Sequence, residues 1–320
     1  MIPTQHTVET PYMVGPVHVY TLELEDAYIL IDTGPATPAG QAFVQEQVDL
    51  DRLSHVLITH CHIDHYGQAG WLAANSDAVV YLPRRDILKH ELKTRRMEGL
   101  FALVAELGFT EPYVEQLRER FSSTMMPLFP EQYGVAEHLP AALGIEVLEC
   151  PGHSQSDLVF VGDDWAVTGD TLLRGVFQSP LLDVDLERGG RFKNYEAYCS
   201  SIVKLAGLAT KTILPGHRFE IDSVGATILF YISKTLQRLH RLAPYLRERT
   251  VAQVIEDVFP TMSDSFHVYL KSSEILFMKD LLEQPELLSS ALTQIDLYDQ
   301  VAELFESVLD QELRLDGYRN

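Results

Sequence analysis

The chain predicts an α/β protein built as a layered αββα sandwich, and three observations point there. Short apolar, β-branched runs recur between residues 17 and 215. Amphipathic stretches separate some of them, while others follow one another after only a few residues. Hairpins therefore mix with βαβ units, the pattern of two packed sheets with helices outside. The predicted strands are 17–24, 27–32, 56–59, 78–82, 145–150, 157–161, 165–169 and 212–215, and helices are expected at 39–48, 68–75 and 195–208.

Two segments exceed that minimal pattern. Residues 84–140 read as two or three helices, with Leu100, Leu103, Val104 and Leu107 on one stripe. They form an insertion expected to act as a lid, with Met97, Phe101, Phe109, Tyr113 and Phe121 either turned towards a substrate or filling the lid's own core. Residues 222–320 form a helical C-terminal extension: Ile228, Ile232, Leu236, Leu239 and Leu242 recur at helical spacing, and Pro260 and Pro285 interrupt the pattern further on. The predicted domains are thus 1–221, carrying the lid, and 222–320.

The strongest chemical signal is the run Thr59-His60-Cys61-His62-Ile63-Asp64-His65, directly after an apolar strand. His153 in Pro151-Gly152-His153, Asp170 in Gly169-Asp170-Thr171 and His217 in Pro215-Gly216-His217 each follow an apolar stretch in the same way. A lone histidine is usually a surface or core residue. Five histidines and two aspartates at strand-to-loop junctions point instead to metal. In extended chain, residues i and i+2 share a side, so His60 and His62 point together and Cys61 faces away. Asp64 and His65, past the turn, can serve a second ion. Imidazole and carboxylate without thiolate suit Zn²⁺, with Fe or Mn as substitutes; calcium and magnesium prefer all-oxygen shells. Two ions ~4 Å apart can hold a hydroxide between them at neutral pH, and hydrolysis is the natural chemistry of such a site.

The pattern His60-x-His62-x-Asp64-His65, followed by His153, Asp170 and His217, resembles the metallo-β-lactamase fold superfamily across residues 17–220. The resemblance implies two divalent metal ions: His60, His62 and His153 would hold the first, Asp64, His65 and His217 the second, and Asp170 would bridge them. It also gives Asp64 and Asp170 the catalytic role of orienting the hydroxide. Asp32, in the early Ile31-Asp32-Thr33-Gly34 turn, would support the His-rich loop rather than ligate. With Asp170 at the bridging position and no cysteine ligand, the chain is similar to the branch that includes glyoxalase II, lactonases and related thioesterases.

Composition narrows the function further. A net charge of −21 disfavours nucleic acid as a partner, since phosphate contacts need a basic surface. No apolar stretch is long enough to span a membrane. The first residues lack a secretory pattern, and three cysteines without CxxC spacing fit a reducing, cytoplasmic setting. One basic cluster stands out: Arg84, Arg85, Lys89, Lys93, Arg95 and Arg96 against Asp86, Glu91 and Glu98. It reads as a solvated helix face with pairs such as Lys89–Asp86 and Glu91–Arg95, or as a dock for an anionic substrate tail.

The expected function is hydrolysis of a small ester, thioester or lactone by a dinuclear-metal-bound hydroxide. Tyr66, Tyr195 and Tyr198 are candidates to hydrogen-bond that small-molecule substrate. The alternatives are a phosphodiesterase or nuclease of the same fold, and a weakly catalytic metal-bearing effector acting through protein partners. The helical segments also leave room for a homodimer.

Overall fold

In a computed structural model, residues 1–123 and 126–317 are described. Residues 124 and 125 of the expected lid and 318–320 of the extension lie outside that range, and residues 311–317 are described by their backbone alone. Two compact units emerge. One comprises residues 1–91, 126–175 and 207–224; the other takes the described residues within 92–125, 176–206 and 225–320.

The first unit holds two sheets. The larger runs β1 (Thr4–Val8), β2 (Val17–Glu23), β3 (Tyr28–Ile31), β4 (Leu53–Leu57), β5 (Val79–Leu82) and β6 (Gly134–Val135), in that spatial order. β1–β2 and β2–β3 are antiparallel, and the remaining pairs are parallel. The smaller sheet has the order β10–β9–β8–β7, from β7 (Glu146–Glu149), β8 (Leu158–Val161), β9 (Trp165–Gly169) and β10 (Thr212–Pro215).

Alternation along the strands explains the layering. Tyr20, Leu22, Ile29, Ile31 and Leu57 pack against Leu158, Phe160, Trp165, Val167 and Leu214 of the second sheet. Their neighbours Val19, Leu30, Val56 and Val80 face the other way, onto Phe43 and Val44 of α1 (Pro38–Glu46), Leu72 of α2 (Ala69–Asn75) and Ile87 of α3 (Arg84–Glu91). A one-residue slip in register would exchange these two layers. Each fully buried Ile, Leu or Phe stabilises the sandwich by about 1.5–3 kcal/mol. At one edge the sheets are also joined by hydrogen bonds: His18 N–H donates to Gly216 O at 2.7 Å, Leu158 N–H to Thr59 O at 2.9 Å, and Tyr20 OH to Pro215 O at 2.6 Å.

The second unit is helical. It contains α4 (Lys93–Glu106), α5 (Glu111–Ser123), α6 (Asn194–Ala206), α7 (Val224–Leu246), α8 (Val251–Val258), α9 (Ser265–Glu283), α10 (Pro285–Gln294) and α11 (Ala302–Gly317). Thr250 caps α8 in a reciprocal box with Gln253, and Asp264 caps α9 by accepting from His267 N–H. Partly buried ion pairs tie its segments together, Arg96 to Asp183 at 2.9 Å and Arg191 to Asp280 at 2.7 Å. The helices expected within the 84–140 insertion therefore divide: α3 belongs to the sandwich unit, and α4 and α5 to the helical one.

Two strands escape sequence reading. β1 is polar and exposed over most of its length, and β6 has only two residues. β4 also ends earlier than expected, at Leu57, so Thr59 and His60 already belong to the loop.

Candidate metal centre

The loop after β4 is shaped by Asp32, just past the end of β3. Its carboxylate accepts from Thr59 N–H at 2.8 Å, from Thr59 Oγ1 at 2.8 Å and from His65 Nδ1 at 2.8 Å. These bonds hold the loop from behind. Asp32 sits in the left-handed region, at φ 57°, which aspartate tolerates better than most residues. Because Thr59 donates to Asp32, its oxygen is left to accept from His60 Nδ1 at 3.1 Å. That chain puts the His60 proton on Nδ1 and leaves the Nε2 lone pair outward. His65 Nδ1 is likewise committed to Asp32, and His217 Nδ1 donates to Pro16 O at 2.7 Å.

The outward nitrogens converge. His60 Nε2 lies 2.8 Å from His62 Nδ1, which lies 3.2 Å from His153 Nε2. His65 Nε2 and His217 Nε2 face each other at 3.3 Å. Asp64 Oδ2 is 3.4 Å from His217 Nε2. Asp170 stands between the groups, with Oδ1 3.4 Å from His65 Nε2 and 3.5 Å from His217 Nε2, and Oδ2 3.8 Å from His153 Nε2. Among the described residues, three sets have ligand atoms all within 4.8 Å of one another: His60–His62–His153, His60–His65–Asp170 and Asp64–His65–His217. All seven sequence-predicted ligands are thus brought together at the edge where the two sheets join.

Electrostatics fit a cation. Burial lowers His65, but the carboxylates of Asp170, Asp32 and Asp64 outweigh it and hold the imidazole well above its ordinary value. Burial raises Asp170, yet His217 and His65 keep its carboxyl well below the usual range. Asp64 is held below its ordinary value in the same way, burial being overcome by His65 and by the hydrogen bond with His217. On the other side, burial and neighbouring histidines hold His60 well below its ordinary value, and burial with His153 pushes His62 down to about 3. The unprotonated rings of His60 and His62 on one side, and on the other a concentration of carboxylates that favours positive charge at His65, suit a divalent metal.

Cys61 stands in none of the three sets, and burial and Asp86 push its thiol well up. The three candidate substrate tyrosines stand in packed surroundings. Tyr66 is 3% exposed, within the apolar layer beneath the first sheet, and its ring meets Phe129 edge-on. Tyr195 OH donates to Gln284 O at 2.9 Å and accepts from Leu288 N–H at 3.2 Å inside the helical unit. Tyr198, in the same unit, packs against Tyr231 and Phe277. The Lys89–Asp86 pair predicted for a solvated helix face exists, but it is buried, with side chains 13% and 5% exposed. The partners that make it so were not visible in the local sequence.

Fold and site define a metallo-hydrolase with clustered His and Asp ligands of the kind that bind divalent metal. The chain belongs to the metallo-β-lactamase superfamily, whose family model matches residues 12–217. A relative described as the probable metallo-hydrolase YflN of Bacillus subtilis (strain 168) is 25% identical over 229 residues, 62% of this chain and 80% of that protein. Among solved structures, the metallo-β-lactamase family protein TTHA1429 from Thermus thermophilus superposes with a TM-score of 0.68 at 23% identity, covering 88% of this chain and 94% of its own. A β-lactamase domain protein from Burkholderia ambifaria gives a TM-score of 0.70 at 18% identity, covering 88% and 87%. At such identities the two structures speak for the fold, here an αββα sandwich with added helices.

Proposed function

We propose that the protein is a dinuclear metallohydrolase acting on a small ester, thioester or lactone. One observation carries the reading: Asp170 presents one oxygen to His65 and His217 and the other to His153. It is therefore placed to serve two ligand groups at once. His60, His62 and His153 would hold one ion, Asp64, His65 and His217 the other, and the nitrogen-and-oxygen donor set favours Zn²⁺, with Fe or Mn able to substitute. Bound metal supplies a nucleophile from water at neutral pH and polarises the substrate carbonyl.

The chain's own residues do the rest. Asp170 and Asp64, both ionised, orient the attacking water and hold its proton away from the carbonyl. Asp32 fixes the tautomer of His65, and through Thr59 that of His60, so neither ring needs to reorganise during turnover. A charge of −21 on the chain favours a small neutral or weakly charged substrate over a polyanion. The three free cysteines agree with a reducing, cytoplasmic setting.

The test pairs elemental analysis with a substrate panel. Protein purified without chelator is expected to carry close to two metal equivalents and to turn over members of an ester, thioester and lactone panel faster than bis-nitrophenyl phosphate. Full activity in metal-free protein would overturn the mechanism, and a preference for the phosphodiester would overturn the substrate class.

A further inference from the structure

Helix α3 carries no metal ligand, yet its first turn is built into the centre. Asp86 is 5% exposed, and its carboxylate takes three donors from three parts of the chain. Oδ2 accepts from Cys61 N–H at 2.7 Å. Oδ1 accepts from Ser156 Oγ at 2.7 Å and from Lys89 Nζ at 2.8 Å. Lys89 closes the ring by donating to Ser156 Oγ at 3.0 Å. Cys61 N–H belongs to the peptide joining His60 to Cys61, the residue before His62, and Ser156 follows His153 by three residues. The His153 turn is stiffened from within, because Asp157 accepts from both Ser154 N–H, at 2.7 Å, and Ser154 Oγ, at 2.6 Å. Ser154 Oγ in turn accepts from Ser156 N–H at 3.2 Å. Holding Ser156 therefore holds His153.

We propose that Asp86 is a positioning residue for the metal centre: by binding Cys61 N–H and the Ser156 hydroxyl together, it sets the spacing between the His60–His62 loop and the His153 turn. The inference rests on reading those three histidines as one ligand group. Metal–ligand distances tolerate only about ±0.2 Å, while the segments bridged by Asp86 have no covalent connection shorter than the intervening fold. One carboxylate shared between them supplies that precision through short, charge-assisted bonds. Lys89 cancels its charge, so the clamp shapes the ligand group without adding a further negative charge to it.

The experiment reads metal binding, not turnover. Metal-free wild type, Asp86→Asn and Ser156→Ala are titrated with Zn²⁺ against a chromophoric chelator, and with Co²⁺ followed by visible absorption. Asp86→Asn should weaken one of two equivalents by about 10–100-fold, the usual cost of losing a partner behind the ligands, and change the Co²⁺ spectrum of that equivalent alone. Ser156→Ala, a milder change that decides the matter if Asp86→Asn does not fold, should weaken the same equivalent severalfold. Variants that melt earlier but bind both equivalents with wild-type affinity and spectrum would make Asp86 a merely structural residue and overturn the proposal. Wild type that binds no metal would overturn the ligand reading itself, and this proposal with it.

Discussion

Asp170 and Tyr195 are both candidate site residues by sequence, and their surroundings separate them. Asp170→Ala removes a carboxylate that faces both histidine groups. It should lower kcat/KM by more than the ~10–100-fold typical of losing a residue behind the ligands. Tyr195→Phe removes a hydroxyl bonded to Gln284 O and Leu288 N–H. It should cost about 1–3 kcal/mol of stability and leave metal content and kcat unchanged. Steady-state kinetics beside thermal melts checks both, and a mild, equal loss of activity in the two variants would count against metal-centred catalysis. The clustering of the seven His and Asp residues was legible because each stands in a recognisable setting, a dense His/Asp run or a Gly/Pro junction after an apolar strand. Asp86 was not, since its partners Cys61 and Ser156 lie 25 and 70 residues away.

Among the elements, local geometry yields two sharper expectations. Gly108 follows α4 at φ 93°, and a Cβ there would lie 2.5 Å from Thr250 Oγ1, the cap of α8. Gly108→Ala should therefore combine left-handed strain with a damaged cap, about 2–4 kcal/mol in all by chemical denaturation. A loss of only about 1 kcal/mol, the backbone strain alone, would show that the cap shifts freely. The Asp157 turn responds to pH. Burial, only partly offset by His153 and the Ser154 hydrogen bonds, pushes its carboxyl from 3.8 to about 6. A carboxyl raised in the folded state binds its proton more tightly there, so this contribution is full below about 4 and is lost as pH rises through about 6. Relative to Asp157→Asn, wild type should lose on the order of 2–3 kcal/mol across that window, read from denaturant midpoints at each pH. A flat difference would refute it. Periodicity locates the strands that bury one or both faces, such as β3 and β8, because burial writes itself into side-chain choice. It misses β1, which is held to β2 by backbone pairing with little apolar signal.

At the scale of the whole molecule, the chain passes between its two units repeatedly, so a cut near residue 221 would divide the helical unit. Removing 222–320 would strip α5 of α9, and α6 of both α9 and α10, on which they pack. Arg96 would keep Asp183, but Arg191 would lose Asp280. Ser273 Oγ, which accepts from Leu182 N–H at 3.0 Å, would be lost as well. A 1–221 fragment is expected to aggregate or to lose much of its helical circular dichroism, and a soluble, cooperatively melting fragment would support a boundary at 221. The extension was legible as helical from its spacing, but not as the core of a unit that recruits earlier segments, because such pairing is between distant helices and leaves no local mark.

The centre's composition also has a bearing on how the chain matures. His62 and His153 are separated by 91 residues, and His65 and His217 by 152. Closing loops of that length carries an entropy cost that only a docked pair of sheets can offset. On the proposed ligand set, the run from His60 to His65 offers only part of each ion's shell, and the remainder comes from residues beside the second sheet. Were these residues to hold metal as proposed, loading would be a late event in biogenesis, and capture of metal at full strength would mark a chain whose sandwich has already closed.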